Sequence, residues 1–436
     1  MGLLIRNGTV LDPSTRVQRR ADMLIIDENV AAIEGSIAPQ RGVDVIDATG
    51  LLVAPGLVDM HVHLRDPGQT HKEDIASGTL AAVRGGFTTV ACMPNSAPPI
   101  DHPTVVEYVK SRAGAASCRV FPIAAITKGQ AGKELVPIAA LAAAGAVALS
   151  DDGVSVADAG LLRRAMSYAT MFDLPVIEHC EDLTLSAGGV MHEGSWSTVL
   201  GLRGIPAVSE EAIVARDLLL AEETGARLHI AHVSTAGSVR LIRDAKGRGV
   251  RVTAEVTPHH LVLTDEAVQG FDVNVKMNPP LRSADDVDAM REALIYGTID
   301  AIATDHAPHA PEEKSVEFDA APFGVVGLET ALSVVWTALV QTGLLSPVQM
   351  LQKMSAAPAT ILNIPGGRLR VGEAADLVLI DPDRRWTVDP STFVSKSRNT
   401  PFEGWTLTGK AVMTIVGGEI KHNELMAEKA GLGTRD

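Results

Sequence analysis

Between residues 57 and 304, eight short apolar runs rich in β-branched residues alternate with stretches of helical periodicity. No other feature of the chain limits its fold as much. The runs lie at 57–63, 88–93, 119–126, 146–150, 174–179, 227–233, 251–256 and 299–304. Helical patterns lie at 73–84 (closed by Gly85-Gly86), 104–111, 157–168, 210–223 with Ser209 as N-cap, 237–246 and 285–296. Parallel strands need long crossovers, and eight of them joined by helices close into a (β/α)8, TIM-like barrel. Two more apolar helices are expected at 325–340 and 348–362. The flanks read differently. Leu3-Leu4-Ile5-Arg6 runs into Asn7-Gly8, a hairpin-turn signal. Short strands are expected at 23–26, 43–46, 375–380 and 411–416. Together they predict one small β-sandwich domain built from both chain ends. The expected division is therefore 1–54 and 366–436 for that domain and 55–365 for the barrel, with 423–436 a loosely held tail.

The bulk numbers narrow the function. With 46% hydrophobic and 21% charged residues the chain is core-forming. A formal net charge of -15 argues against nucleic acid as a partner, because phosphate binding needs a basic surface. A small anionic substrate needs only local positive charge. Three scattered cysteines, Cys92, Cys118 and Cys180, form no disulfide framework and fit a reducing compartment. No basic segment followed by an apolar one opens the chain, and the Ala-rich stretch at 139–149 is too short to span a bilayer. A cytoplasmic protein without membrane contact is expected.

In a barrel of this type chemistry sits where the strands end. The first run, V-A-P-G-L-V-D-M-H-V-H-L-R-D-P-G over 53–68, carries His61 and His63, which share a face by strand alternation. Arg65 joins that face if the strand runs so far, and Asp66-Pro67-Gly68 turns the chain away. Later strand ends carry Pro94-Asn95, Asp151-Asp152-Gly153, Glu178-His179-Cys180, His232-Val233-Ser234, His259-His260 and Asp305-His306-Ala307-Pro308-His309. Singly, each has an ordinary explanation as a loop or turn residue. Four histidines and two carboxylates at one rim have no cheap structural explanation and point to a metal centre. Five or six ligands exceed the three of an open catalytic zinc site, so two ions fit better than one.

These motifs resemble the amidohydrolase superfamily and, within it, the bacterial class I dihydroorotases. The resemblance spans nearly the whole chain. Its markers are Pro55 through Gly68, Met93-Pro94-Asn95, Asp305 through His309, and Asn399-Thr400-Pro401-Phe402. His-x-His marks only the superfamily; the Arg-Asp-Pro-Gly that follows it, with Met-Pro-Asn, is far more specific. The resemblance implies that His61, His63 and Asp305 bind one metal and His179 and His232 a second. Many relatives bridge the ions with a carboxylated lysine, but residues 145–153 contain none. Family spacing makes Asp152 the bridge, with Asp151 the rival. Zinc is implied, two ions per chain, although cobalt or manganese suits the same ligands.

The implied reaction is reversible hydrolysis of the ring amide of dihydroorotate to N-carbamoyl-aspartate, in pyrimidine (UMP) biosynthesis. A metal-bridging hydroxide attacks, and Asp305 acts as general base and then acid. His63, Arg65, Asn95 and His309 would meet the substrate, Arg65 pairing with its carboxylate. Asn278 would contact the ring amides, and Phe323-Gly324 would offer backbone groups. Residues 309–323 would form a mobile lid or else a solvated surface loop. His259, His260 and His306 read as structural, and Cys180 should point away from the site. The resemblance also implies a homodimer and association with aspartate transcarbamoylase. Two other readings are a hydantoinase or allantoinase, and a catalytically inactive partner of the transcarbamoylase.

Overall fold

Hydrogen bonding joins all eight expected runs into one parallel ring. The computed structural model describes residues 2–425. Strands Leu57–Val62, Phe87–Cys92 and Arg119–Pro122 form one arc. Leu149–Ser150, Val176–Glu178, Leu228–Ile230, Val252–Val256 and Ala301–Ile302 form the other. Parallel bridges Ala124–Leu149 and Val62–His306 close the two seams. The barrel interior is filled by Val58, Met60, Ile123, Ile177 and a set of alanines that includes Ala91, Ala231 and Ala301. Ile361, Leu362 and Ile364 plug the end where the strands begin. Small interior residues leave room above this plug for polar side chains at the other end.

The helices cover the outward faces. Ile75–Arg84 is capped by Asp74, whose carboxylate accepts the Ser77 N–H. Pro103–Ala113, Ala159–Thr170, Ala236–Gly247 and Ala284–Tyr296 follow where the sequence places them. Val208–Thr224 starts before Ser209, whose hydroxyl donates to the Pro206 carbonyl instead of capping. The expected helix at 325–340 begins only at Ala331, because Val325 is drawn into a bridge with His306. Helical turns then run from Ala331 through Val340 and from Pro347 through Leu362. A helix at Ile138–Ala144 and an excursion with helix Ser195–Leu200 were not anticipated. Among the described residues no helix is long and apolar enough to cross a membrane.

Both chain ends share one eight-stranded sheet. Its order runs Glu419–Asn423, Thr406–Val416, Leu377–Thr387, Leu52–Pro55, Gly2–Asp12, Val17–Ile26 and Asn29–Glu34, with Val43–Asp47 also paired to Gly2–Asp12. Leu3, Ile5, Met23, Val53, Leu379 and Ile415 form its own core. Val378, Ile380 and Ala411 face the other way and join the core outside the barrel. The Asn7-Gly8 reading is corrected. The pair does not make a hairpin turn but a bulge inside Gly2–Asp12, with Asn7 at φ 63° and a register slip between Ile5 and Gly8. Two carboxylates hold it there: Asp22 accepts the Asn7 N–H and Asp47 its side-chain amide. The start of the expected loose tail is also held. The Glu424 N–H donates to the Val412 carbonyl and its carboxylate pairs with Lys410. Residues 426–436 lie outside the described residues.

Candidate metal centre

The first barrel strand breaks its own alternation. Val58 and Met60 point into the barrel, whereas Val62 and Leu64 pack outward. The phase changes between Met60 and His61, where pairing with the second strand slips. This bulge turns both His61 and His63 inward above Met60. Buried Asp59 supports the kink, accepting the N–H groups of His61 (3.2 Å) and Thr304 (3.1 Å).

The six expected ligands meet above the interior layer. Asp305 Oδ1 lies 3.0 Å from His63 Nε2 and 3.5 Å from His61 Nε2. Asp152 Oδ1 lies 3.2 Å from His61 Nε2 and 3.9 Å from His232 Nε2, and its Oδ2 lies 3.5 Å from His63 Nε2. His179 Nδ1 is 3.0 Å from His232 Nε2. Two buried triads result, His61–His63–Asp305 and His61–Asp152–His232, each with ligand atoms within 4.8 Å of one another. Asp151 points elsewhere. Its Oδ1 accepts the N–H groups of Ile126 (2.8 Å) and Thr127 (3.0 Å), and its Oδ2 accepts the Thr127 hydroxyl.

Electrostatics suit a dication. Burial raises the Asp152 carboxyl, yet His61, His63 and His179 hold it well below the ordinary range. Asp305 is lowered in the same way against its burial, by His61, His63 and His232. Burial, with His179 and His61 beside it, drives His232 down to about 3. His61 Nε2 is fully buried and makes no hydrogen bond while facing two carboxylates. An orphaned imidazole nitrogen in a buried N/O cage fits zinc or a similar ion. The backbone is bent to build this cage. Arg65 (φ 57°), His232 (φ 30°) and Asp305 (φ 48°) all adopt left-handed conformations, each costing about 1–3 kcal/mol in a non-glycine residue.

The expected substrate residues ring the same opening. The strand ends at Val62, so Arg65 reaches the site through its left-handed turn and not by alternation. Its guanidinium donates to the Pro308 carbonyl at 3.3 Å, and burial lowers its pKa against the pull of Asp305 and Asp152. Gly68 ends this turn at φ 90°, where a Cβ would sit 1.8 Å from the Ala97 carbonyl oxygen. Asn95 bonds His63 Nδ1 at 2.7 Å through its oxygen and donates to Asp152 Oδ2 at 3.2 Å. The Asn278 amide donates to Glu181 Oε2 at 2.8 Å. His309 Nε2 lies 2.8 Å from the Phe323 carbonyl oxygen, and burial with Arg65 nearby lowers its pKa to about 4. Gly324 (φ 124°) lets the chain pass, since a Cβ there would come within 3.1 Å of His309 Nε2.

Comparison with known proteins decides the family. A dihydro-orotase-like family model matches residues 50–238, and an amidohydrolase family model matches 205–422. The dihydroorotase of Pelotomaculum thermopropionicum is 58% identical over 96% of this chain and 98% of its own. That of Syntrophus aciditrophicus is 52% identical over 97% and 100%. The chain belongs to the dihydroorotases of the amidohydrolase superfamily. Solved structures agree on the fold. A dihydropyrimidinase from Brevibacillus agri superposes with TM-score 0.85 at 26% identity, over 97% of this chain and 95% of that one. The L-hydantoinase of Arthrobacter aurescens gives 0.86 at 28%, over 97% and 96%.

Within this dihydroorotase-family barrel, three elements escaped the sequence reading. Glu255 meets His61 Nδ1 at 2.7 Å and Glu181 meets His179 Nε2 at 3.0 Å, so two of the expected ligand histidines carry a carboxylate on the nitrogen facing away from the cage. The available signals were an acid inside the apolar run 252–256 and an acid two residues beyond His179. Asn399, a family marker without an assigned role, staples two loops. Its amide donates to the Ala307 and Gly324 carbonyls, and its oxygen accepts the His309 N–H. The 309–323 segment is tethered on both sides. Lys314 Nζ donates to the Val273 and Pro322 carbonyls, Lys276 Nζ to those of Phe318 and Asp319, and Lys72 pairs with Glu313. His260 bonds Thr257 and the Pro279 carbonyl, and His306 receives the Gly327 N–H. His259 is buried with its Nε2 unpartnered. Cys180 is buried beside Asp217, and burial pushes its thiol well up.

Proposed function

We propose that the chain hydrolyses the ring amide of dihydroorotate, and re-forms it from N-carbamoyl-aspartate, in pyrimidine biosynthesis. We infer that His61, His63, Asp152, His179, His232 and Asp305 hold two zinc ions for this purpose. One observation carries the reading: dihydroorotases match the chain from end to end at 51–58% identity, and no expected ligand is missing. Bound zinc lowers the pKa of water toward neutrality and polarises an amide carbonyl.

The chain's own groups supply the rest. Asp305, kept as a carboxylate, takes the proton of the attacking water and delivers it to the leaving ring nitrogen. In the direction of ring closure it removes the proton from the carbamoyl nitrogen. Arg65 is buried and desolvated, so a carboxylate is its natural partner, met by two parallel N–H donors. Asn95 and His309 flank that carboxylate, Asn278 meets the ring amide, and the Phe323-Gly324 backbone lies against the ring. A neutral His309 lines the pocket without adding a second charge beside Arg65.

Buried Arg65, with Asn95, also argues against a hydantoinase or allantoinase, whose substrates include uncharged rings. Solved hydantoinases share the fold at only 25–28% identity. The complete ligand set argues against an inactive scaffold. Family habit extends the proposal to a homodimer and to association with aspartate transcarbamoylase, which light scattering with and without that enzyme would check.

The deciding experiment is a turnover assay on metal-quantified protein. It follows dihydroorotate hydrolysis and carbamoyl-aspartate cyclisation, with hydantoin and allantoin as controls. The expected result is turnover of the first pair alone, with up to two zinc ions per chain. Zinc uptake without dihydroorotate turnover would overturn the substrate. No zinc and no turnover would leave the scaffold reading.

A further inference from the structure

Below the metal-facing histidines a polar chain runs down the barrel interior. His61 Nδ1 lies 2.7 Å from Glu255 Oε1, and Glu255 Oε2 lies 3.2 Å from His229 Nε2. His229 Nδ1 lies 2.8 Å from Thr253 Oγ1. The same Glu255 Oε1 accepts the backbone N–H of His232 at 3.4 Å. His61, His229 and Glu255 are each at most 1% exposed. A buried carboxylate only accepts hydrogen bonds, and isolating one costs far more than packing an apolar residue there. An acid at this depth in an interior of alanine, isoleucine and methionine therefore needs a reason.

The geometry supplies one. Glu255 touches two of the six expected ligand residues, His61 through its ring and His232 through its backbone. With its hydrogen on Nδ1 and donated to Glu255, His61 must present a bare Nε2 to the cage. That is the nitrogen left without a hydrogen bond. The His232 N–H belongs to one of the three strained backbone positions, so an acceptor placed on it helps hold φ at 30°. His229 Nε2 stands 3.2 Å from the other oxygen of Glu255 but makes no hydrogen bond to it. The carboxylate is held through Oε1 alone, by His61 Nδ1 and the His232 N–H.

We propose that Glu255 is a positioning residue of the metal centre, which sets the tautomer and aim of His61 and the backbone of His232. This rests on the metal reading of the site given above. An outer carboxylate on a ligand histidine also raises the basicity of the ligating nitrogen, and losing such a partner typically weakens metal binding by 10–100-fold.

The test measures zinc affinity, by competition with a chromophoric chelator, for the full-length wild type, Glu255→Gln and Glu255→Asp. The glutamine keeps size and an acceptor but removes the charge. The aspartate keeps the charge but withdraws it by one methylene. Both should fold by circular dichroism, bind zinc about 10–100-fold more weakly, and regain most of their turnover when zinc is in excess. Wild-type zinc affinity in a folded Glu255→Gln protein would overturn the proposal. So would lost turnover at full zinc occupancy. If neither variant folds, Glu255 serves the barrel core alone and the proposal fails. A wild type that takes up no zinc would instead overturn the metal reading on which it rests.

Discussion

Asp151 and Asp152 are neighbours in sequence with different tasks, and their substitutions should separate cleanly. Asp152 faces three imidazoles, whereas Asp151 ties the segment after the third barrel strand to the end of the fourth through Ile126 and Thr127. Asp152→Asn should lose bound zinc and at least about 10²-fold in turnover while melting as an intact fold. Asp151→Ala should retain zinc but lose about 1–3 kcal/mol of stability, because two buried N–H groups lose their acceptor. Metal analysis beside thermal melts checks both. The convergence of these histidines was legible because each sits at a strand end, and strand ends meet on one rim. Glu255 was not, because nothing in a single run says what a buried acid will meet. Its partner His61 lies 194 positions away, and only ring closure brings them together. The choice between Asp151 and Asp152 is likewise a matter of backbone direction after a two-residue strand, which local spacing does not encode.

At the scale of elements, hydrophobic periodicity located all eight barrel strands but not the irregularities inside them. Alternation put His61 and His63 on one face correctly, yet the strand changes phase just before them, and Arg65 arrives by a left-handed turn. Asn7-Gly8 failed for a related reason. A pair able to adopt positive φ serves a bulge as well as a hairpin, and partners from distant strands decide which. The 309–323 segment is the element whose behaviour matters most for access to the site. Its buried Lys314 donates to the Pro322 carbonyl within the segment and to the Val273 carbonyl outside it. We expect Lys314→Met to leave those carbonyls unsatisfied and to speed proteolytic cleavage within 309–323 several-fold. Carbamoyl-aspartate should slow cleavage of the wild type if the segment closes over ligand. Equal cleavage with and without ligand would make it a fixed wall of the pocket.

At the scale of the molecule, the terminal sheet and the barrel share buried packing. Leu52–Pro55 pairs with Leu377–Thr387, and the outward face of that sheet belongs to the barrel's own core. A chain ending at residue 365 should therefore lose cooperative melting altogether and not retain a separately folded barrel. The response to acid tests the same unit through two histidines outside the expected ligand set. His192 accepts from Arg282 at 3.1 Å, and burial, reinforced by that guanidinium, lowers its pKa to about 4. Burial lowers His260 to about 4 as well. In the unfolded chain both titrate near 6.5. Between those values the unfolded state binds protons that the native state refuses, so stability falls as pH drops. It is present in full above about 6.5, declines by up to about 1.4 kcal/mol per pH unit for each histidine, and levels off below about 4. Glu424 acts in a lower window. Burial raises its carboxyl, but His422 and Lys410 hold it at about 2, so its contribution is lost only as pH falls from about 4.5 toward 2. Thermal melts of the metal-free protein should accordingly show two acid phases. His192→Gln keeps an acceptor for Arg282 but cannot take up a proton, so it should reduce the slope of the upper phase by its own share of up to about 1.4 kcal/mol per pH unit, keep the share of His260, and leave the lower phase unchanged. A variant that follows the wild-type curve above pH 4.5 would mean that His192 is protonated in the native state and that Arg282 has turned away from it.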